Sequence, residues 1–172
     1  MIKIFEISSS EDMIQLGYEL GKNLKPNMVV ALNGDLGAGK TTFTKGIAKA
    51  LNISGIVNSP TFVIMKIYEG DLTLYHLDVY RVNEDEFELT EYFENDGVCI
   101  IEWANNIKKL LPDDTVYMYI EDLGDNKRKV TIDAYDESLF CGVDLWKRWY
   151  LIHQVRNWSF HFWKMTGFYI TI

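Results

Sequence analysis

Gly34-Asp35-Leu36-Gly37-Ala38-Gly39-Lys40-Thr41 is the stretch of this chain that decides the fold. Three glycines let the backbone curl so that successive N–H groups point inward at an anion. Lys40 then reaches the outer phosphates of a nucleoside triphosphate, and the Thr41 hydroxyl is placed to hold Mg2+. Both flanks agree with that geometry. Met28-Val29-Val30-Ala31-Leu32 is a short apolar run between Pro26 and Asn33, as a buried parallel strand reads. Downstream, Phe43, Ile47, Ala48 and Leu51 recur at helical spacing, so the loop opens a helix whose positive end faces the phosphates. The competing reading is a glycine-rich turn that merely caps the helix, and the strand and helix context weighs against it.

Before the loop, Ile2 to Ile7 alternates as a strand. Ser8 with Glu11 forms a capping box for a helix running to about Leu24, with Met13, Leu16, Leu20 and Leu24 as its buried stripe. After it, Thr61 to Tyr68 and Leu72 to Val79 read as the arms of an antiparallel hairpin turning at Glu69-Gly70-Asp71. Glu84 to Glu94 reads as an acidic helix with Phe87, Tyr92 and Phe93 inward. Val98-Cys99-Ile100-Ile101-Glu102 is a continuous apolar strand ending in a carboxylate. Ile107, Leu110 and Leu111 mark a short helix stopped by Pro112. Thr115 to Glu121 and Lys129 to Tyr135 alternate as strands around Gly124-Asp125-Asn126. The expected fold class is α/β: a three-layer P-loop NTPase-like core with a mixed, largely parallel sheet and antiparallel hairpin additions.

At 172 residues the chain is expected to form one domain, residues 1–137, with an appendage at 138–172. Four of its five tryptophans (Trp146, Trp149, Trp158 and Trp163) lie in that appendage, beside Phe160, Phe162, Phe168 and Tyr169, and its charge is nearly balanced where the rest is acidic. An added core element and a partner interface are both open for it. The net charge of −8 excludes a broad basic surface for nucleic acid, so any RNA link runs through a partner. Cys99 sits within an apolar run and reads as a buried thiol. The N-terminus has no signal-peptide pattern and no run of about 18 apolar residues exists, so a cytoplasmic protein without a membrane span is expected.

A phosphate loop needs carboxylates to hold Mg2+ and orient an attacking water. Glu102, at the carboxyl end of an apolar strand, is the first choice as metal ligand, directly or through water. Asp78, ending Leu74-Tyr75-His76-Leu77-Asp78, is the first choice for orienting the water or a metal-bound water, and the two roles are exchangeable. That strand alternates and is expected to be half exposed. His76 shares a side with Asp78 and reads as a packing histidine. Arg81 reads as a partner for a phosphate, for Asp78 or for another subunit, or as a surface ion pair. Ser59-Pro60-Thr61-Phe62 occupies a position at which nucleoside triphosphatases often sense the γ-phosphate, and a simple loop is the alternative.

Together with the loop, Ser59-Pro60-Thr61-Phe62, Tyr75-His76-Leu77-Asp78-Val79-Tyr80-Arg81 and Ile101-Glu102-Trp103 resemble, in order and spacing, the TsaE (YjeE) family over residues 1–135. The resemblance implies a small bacterial cytoplasmic ATPase, slow when alone, required with the TsaD and TsaB proteins to make N6-threonylcarbamoyladenosine at position 37 of tRNAs reading codons that begin with A. It implies that Gly37, Ala38, Gly39, Lys40, Thr41 and Thr42 bind the phosphates of ATP. It implies further that Thr41 and Glu102 hold Mg2+, that Asp78 serves hydrolysis and that Trp103 lies beside the nucleotide. Ser59 to Phe62 resembles the family's switch-like segment, and Arg81 belongs to its Asp-x-Tyr-Arg motif. Glu11 and Arg128 align with adenine or phosphate contacts. Residues 138–172 match no motif of the family. A small-molecule kinase using the same loop, and a nucleotide-gated binding module without useful hydrolysis, are the alternative functions; only Arg81, Arg128, Arg148 and Arg156 exist to furnish a kinase lid.

Overall fold

The computed structural model describes residues 1–82 and 92–143. The helix expected over 84–94 falls mostly outside the described residues, as does the aromatic segment from 144 onward.

Seven strands form one sheet in the order β1-β7-β6-β2-β5-β4-β3. These are β1 (Ile2–Ile7), β2 (Val29–Gly34), β3 (Met65–Tyr68), β4 (Leu74–Asp78), β5 (Val98–Glu102), β6 (Val116–Gly124) and β7 (Lys127–Asp133). The centre, β6-β2-β5-β4, is parallel. Antiparallel pairs flank it, with β3 on β4 at one side and β7 then β1 on β6 at the other. This is the α/β architecture that the sequence predicts.

Two helices, α1 (Ser10–Gly21) and α2 (Lys40–Ala50), cover one face of the sheet. Met13, Leu16 and Leu20 from α1 and Phe43, Ile47 and Ala48 from α2 meet Val30, Leu32, Leu74, Val98 and Ile100 in the larger core. The helices approach each other closely because both contribute glycine at the crossing. A Cβ on Gly46 would stand 2.1 Å from the Ile14 carbonyl oxygen, and one on Gly17 2.2 Å from that of Phe43. On the other face Leu77, Val79, Cys99 and Ile101 pack with Phe93, Ala104 and Ile107. Pro112 ends that layer's 3-10 helix, Ala104–Leu110. Leu139, Phe140 and Val143 join the larger core, and Asn23 Nδ2 donates to the carbonyls of Leu139 and Cys141 at 2.9 Å each. Among the described residues no helix is long and apolar enough to cross a membrane.

Four local expectations need correction. The cap of α1 is Ser9, whose hydroxyl accepts from Asp12 N at 3.0 Å while Asp12 Oδ2 accepts from Ser8 N, so the box lies one residue later than Ser8 and Glu11. The helix stops at Gly21, with Leu24 still buried by the turns that follow. The first hairpin arm begins at Met65, because Val63 N and Ile64 N turn back onto the Pro60 carbonyl and Ile64 adopts a positive φ of 66°. Finally, β4 is not half exposed. It lies between β5 and β3, with Leu74, His76, Leu77 and Asp78 all buried, because both sheet faces are covered there. At the other end, Asp125 and Asn126 both have positive φ, so β6 and β7 are joined by the tight two-residue turn that suits twisted strands.

Candidate functional site

The site grows from the carboxyl end of the parallel strands, where α/β sheets open a ligand crevice. β2 ends at Gly34 and α2 begins at Lys40. Gly39 takes the cap position at φ 115°, a conformation that side-chain-bearing residues rarely adopt, and it offers no side chain to the helix. The first N–H groups of α2 are therefore available to an anion, and the helix dipole favours one there.

Alternation along the sheet decides which side chains join them. Leu74 of β4 and Val98 and Ile100 of β5 face the helices, and so, two residues apart in register, do His76, Asp78 and Glu102. Glu102 is thereby brought to the start of α2, where Thr41 Oγ1 donates to Glu102 Oε1 at 2.7 Å. His76 Nε2 lies 2.8 Å from the same oxygen. The histidine expected as packing is thus bonded to the candidate metal ligand, and the clue in the sequence was its place two residues before Asp78.

Lys40 is 5% exposed, and its Nζ donates to the carbonyls of Gly34 (2.7 Å) and Asp35 (3.0 Å). Burial pulls its pKa below the usual lysine value, against the opposing pull of the carboxylates of Glu102, Asp78 and Asp35. Its ammonium also stands 3.8 Å from the centroid of the Trp103 ring. Trp103 is held there by a left-handed backbone, φ 64°, after its N–H bonds the Leu32 carbonyl at 2.9 Å. Asn33 braces the same corner, its Oδ1 accepting from Asn105 N at 2.9 Å. Sequence reading passed over it because an amide at a strand end carries no motif.

Asp78 accepts three hydrogen bonds within the protein. Its Oδ2 accepts from Thr61 Oγ1 at 2.5 Å and Ser59 Oγ at 3.3 Å, and its Oδ1 accepts from Tyr80 N at 3.0 Å. The Ser59-Pro60-Thr61 segment therefore sits on the candidate catalytic carboxylate. Arg81 has its guanidinium 5.7 Å from the exposed Phe62 ring.

On the other side of the loop a cleft of about 340 Å³ is lined by Ser9, Glu11, Gly37, Thr42, Asn126 and Arg128, among others. It joins the start of α1, the glycine loop and the β6–β7 turn, three segments far apart in sequence. Arg128 is steadied in it by Asp122 Oδ1 at 2.9 Å. The candidate residues thus form two groups about the loop: Glu11, Thr42 and Arg128 at the cleft, and Lys40, Thr41, Asp78, Glu102 and Trp103 at the strand ends.

Thr41 and Glu102 offer a hydroxyl and a carboxylate oxygen, hard donors of the kind Mg2+ prefers, and one or two such protein ligands suffice when phosphates supply others. The residues present fit that ion.

Comparison with known proteins places the chain in a family. A family model described as threonylcarbamoyl adenosine biosynthesis protein TsaE matches residues 7–130. The tRNA threonylcarbamoyladenosine biosynthesis protein TsaE of Bacillus subtilis is 54% identical over 114 residues, covering 64% of this chain and 72% of the relative. That of Treponema pallidum is 41% identical over 128 residues, covering 72% and 95%. The crystal structure of Bacillus subtilis YdiB superposes with a TM-score of 0.75 at 38% identity, covering 86% of this chain and 97% of YdiB. The chain belongs to the TsaE family.

Proposed function

We propose that this chain binds ATP with Mg2+ in the Gly34–Thr41 loop, hydrolyses it slowly when alone, and serves threonylcarbamoylation of adenosine 37 in tRNAs reading codons that begin with A, acting with the TsaD and TsaB proteins. The supporting observation is the convergence of Lys40, Thr41 and Glu102 at the open end of the parallel strands, in a chain of the TsaE family. The names of its relatives supply the tRNA modification.

The N–H groups from Gly37 to Thr42 cradle the phosphates, and Lys40 leaves the loop carbonyls to pair with the outer ones. Glu11 and Arg128 receive the rest of the nucleotide in the cleft. Thr41 and Glu102 hold Mg2+, with Asp78 close enough in register to join through water. Bound there, the ion neutralises charge across the outer phosphates. Asp78 orients the attacking water and takes its proton, and release of its Oδ2 by Thr61 and Ser59 would free that oxygen for the task. That internal engagement accounts for slow turnover by the isolated chain, and a partner that draws the segment away would quicken it. With a net charge of −8, contact with tRNA runs through the partners.

The test is phosphate release from ATP by the wild type and by Lys40→Ala, with and without TsaD and TsaB. Turnover that depends on Lys40 and changes when the pair is added supports the reading. A rate indifferent to both would refute it.

A further inference from the structure

His76 has no exposed surface, and its Nε2 lies 2.8 Å from Glu102 Oε1, the oxygen that also receives the Thr41 hydroxyl at 2.7 Å. The ring's other nitrogen, Nδ1, is buried and has no hydrogen-bond partner among the described residues. The ring's one polar contact is therefore the one at Nε2, and since a carboxylate oxygen accepts, Glu102, 4% exposed, is placed to take a hydrogen bond from His76 as well as from Thr41.

The two donors differ in place. Thr41 lies in the first turn of α2, and its hydroxyl oxygen is itself a candidate cation ligand. His76 sits inside the sheet on β4, in register with Ile100 of the neighbouring β5, two residues before Glu102. Its place beside Glu102 is set by strand pairing.

We infer that His76 is a positioning residue for the cation site: it holds the Glu102 carboxylate in one orientation beside Thr41, so that the cation meets preformed oxygens and not a side chain still free to rotate. The inference rests on the reading of Thr41 and Glu102 as magnesium holders given above. Hydrogen-bonded supports of metal ligands commonly contribute 10- to 100-fold to metal affinity, and an effect of about 10-fold is expected here.

The test uses the full chain with a non-hydrolysable ATP analogue, measured by calorimetry in EDTA, followed by a Mn2+ titration read by electron paramagnetic resonance at saturating nucleotide. His76→Phe keeps the ring volume and removes the donor. His76→Gln keeps an N–H close to the Nε2 position. The expected result is unchanged analogue affinity in EDTA for both variants, about 10-fold weaker Mn2+ binding for His76→Phe, and recovery in His76→Gln. Equal Mn2+ affinity in wild type and His76→Phe overturns the inference while leaving the proposed function standing. A wild type that binds neither analogue nor Mn2+ overturns the proposed function itself, and the inference with it. Should His76→Phe fail to fold, imidazole 15N spectra of the wild type decide: a proton on Nε2 supports the inference, and a bare Nε2 contradicts it.

Discussion

The Lys40 ammonium stands 3.8 Å from the centroid of the Trp103 ring while donating to the carbonyls of Gly34 and Asp35, so the glycine-rich loop of this protein closes on its own lysine. A phosphate that enters must exchange those contacts for stronger charge-assisted ones. Hydrogen bonds to charged groups contribute about 1.5–3 kcal/mol each, which corresponds to roughly 10- to 100-fold in affinity. Lys40→Ala is accordingly expected to weaken ATP binding by about that range, as measured by calorimetry, with the fold intact by circular dichroism. The Trp103 contribution to fluorescence, taken as the difference between wild type and Trp103→Phe, should change when nucleotide binds.

The same lysine predicts a proton linkage. Burial lowers its pKa in the free protein, and a triphosphate, by adding negative charge, raises it again. The bound state then holds more protons than the free state at pH values between the two pKa values. ATP binding should take up protons at pH values between the free-state and bound-state pKa, and affinity should fall as pH rises past the free-state pKa. Calorimetry in two buffers of different ionisation enthalpy measures the uptake; proton release on binding in that range would contradict the argument.

Asp78 and Thr61 give opposite expectations for turnover. Asp78→Asn should abolish hydrolysis while leaving ATP affinity within about 3-fold, because the amide keeps the shape but cannot take a proton. Thr61→Val removes the 2.5 Å bond to Asp78 Oδ2 and should raise the turnover of the isolated chain, with roughly 100-fold as the upper bound set by one hydrogen bond to a charged group. A fall in rate for Thr61→Val would mean that this hydroxyl acts on the γ-phosphate rather than as a brake on Asp78.

Packing at the helix crossing yields a stability prediction independent of the site. Gly46→Ala would bring a methyl to 2.1 Å from the Ile14 carbonyl oxygen, which must force α1 and α2 apart. The expected cost is about 1–3 kcal/mol in denaturant unfolding. Gly37→Ala meets nothing within 4 Å and should cost less through packing, its penalty arising from the positive φ of 79°.

Most of the fold could be read from residues whose neighbours in sequence are also their structural context. The apolar runs at Val29 and Val98 became β2 and β5, and the helical spacing of Phe43, Ile47 and Ala48 became the buried side of α2, with Leu51 buried just past its end. The errors fall where tertiary contacts override local pattern. β4 looks half polar because His76 and Asp78 alternate with Tyr75 and Leu77, yet His76 and Asp78 are buried by bonding to Glu102 and to Thr61. The cap of α1 moved by one residue because Ser8, Ser9 and Ser10 are all competent caps, and only the pairing with Asp12 separates them. Within the site, Lys40 and Thr41 were legible from the loop and Glu102 from the end of its strand. The bond between His76 and Glu102 spans two strands, so the place of His76 two residues before Asp78 showed its face of the sheet but not its partner.

The central claim is that the Gly34–Thr41 loop captures a nucleoside triphosphate with Mg2+. Titration of a non-hydrolysable ATP analogue with Mg2+ into the wild-type chain tests it most directly, with Lys40→Ala as the control. Saturable binding to one site, lost in the variant, is the predicted result. Absence of heat at every temperature tried, or binding that Lys40→Ala leaves unchanged, would contradict it.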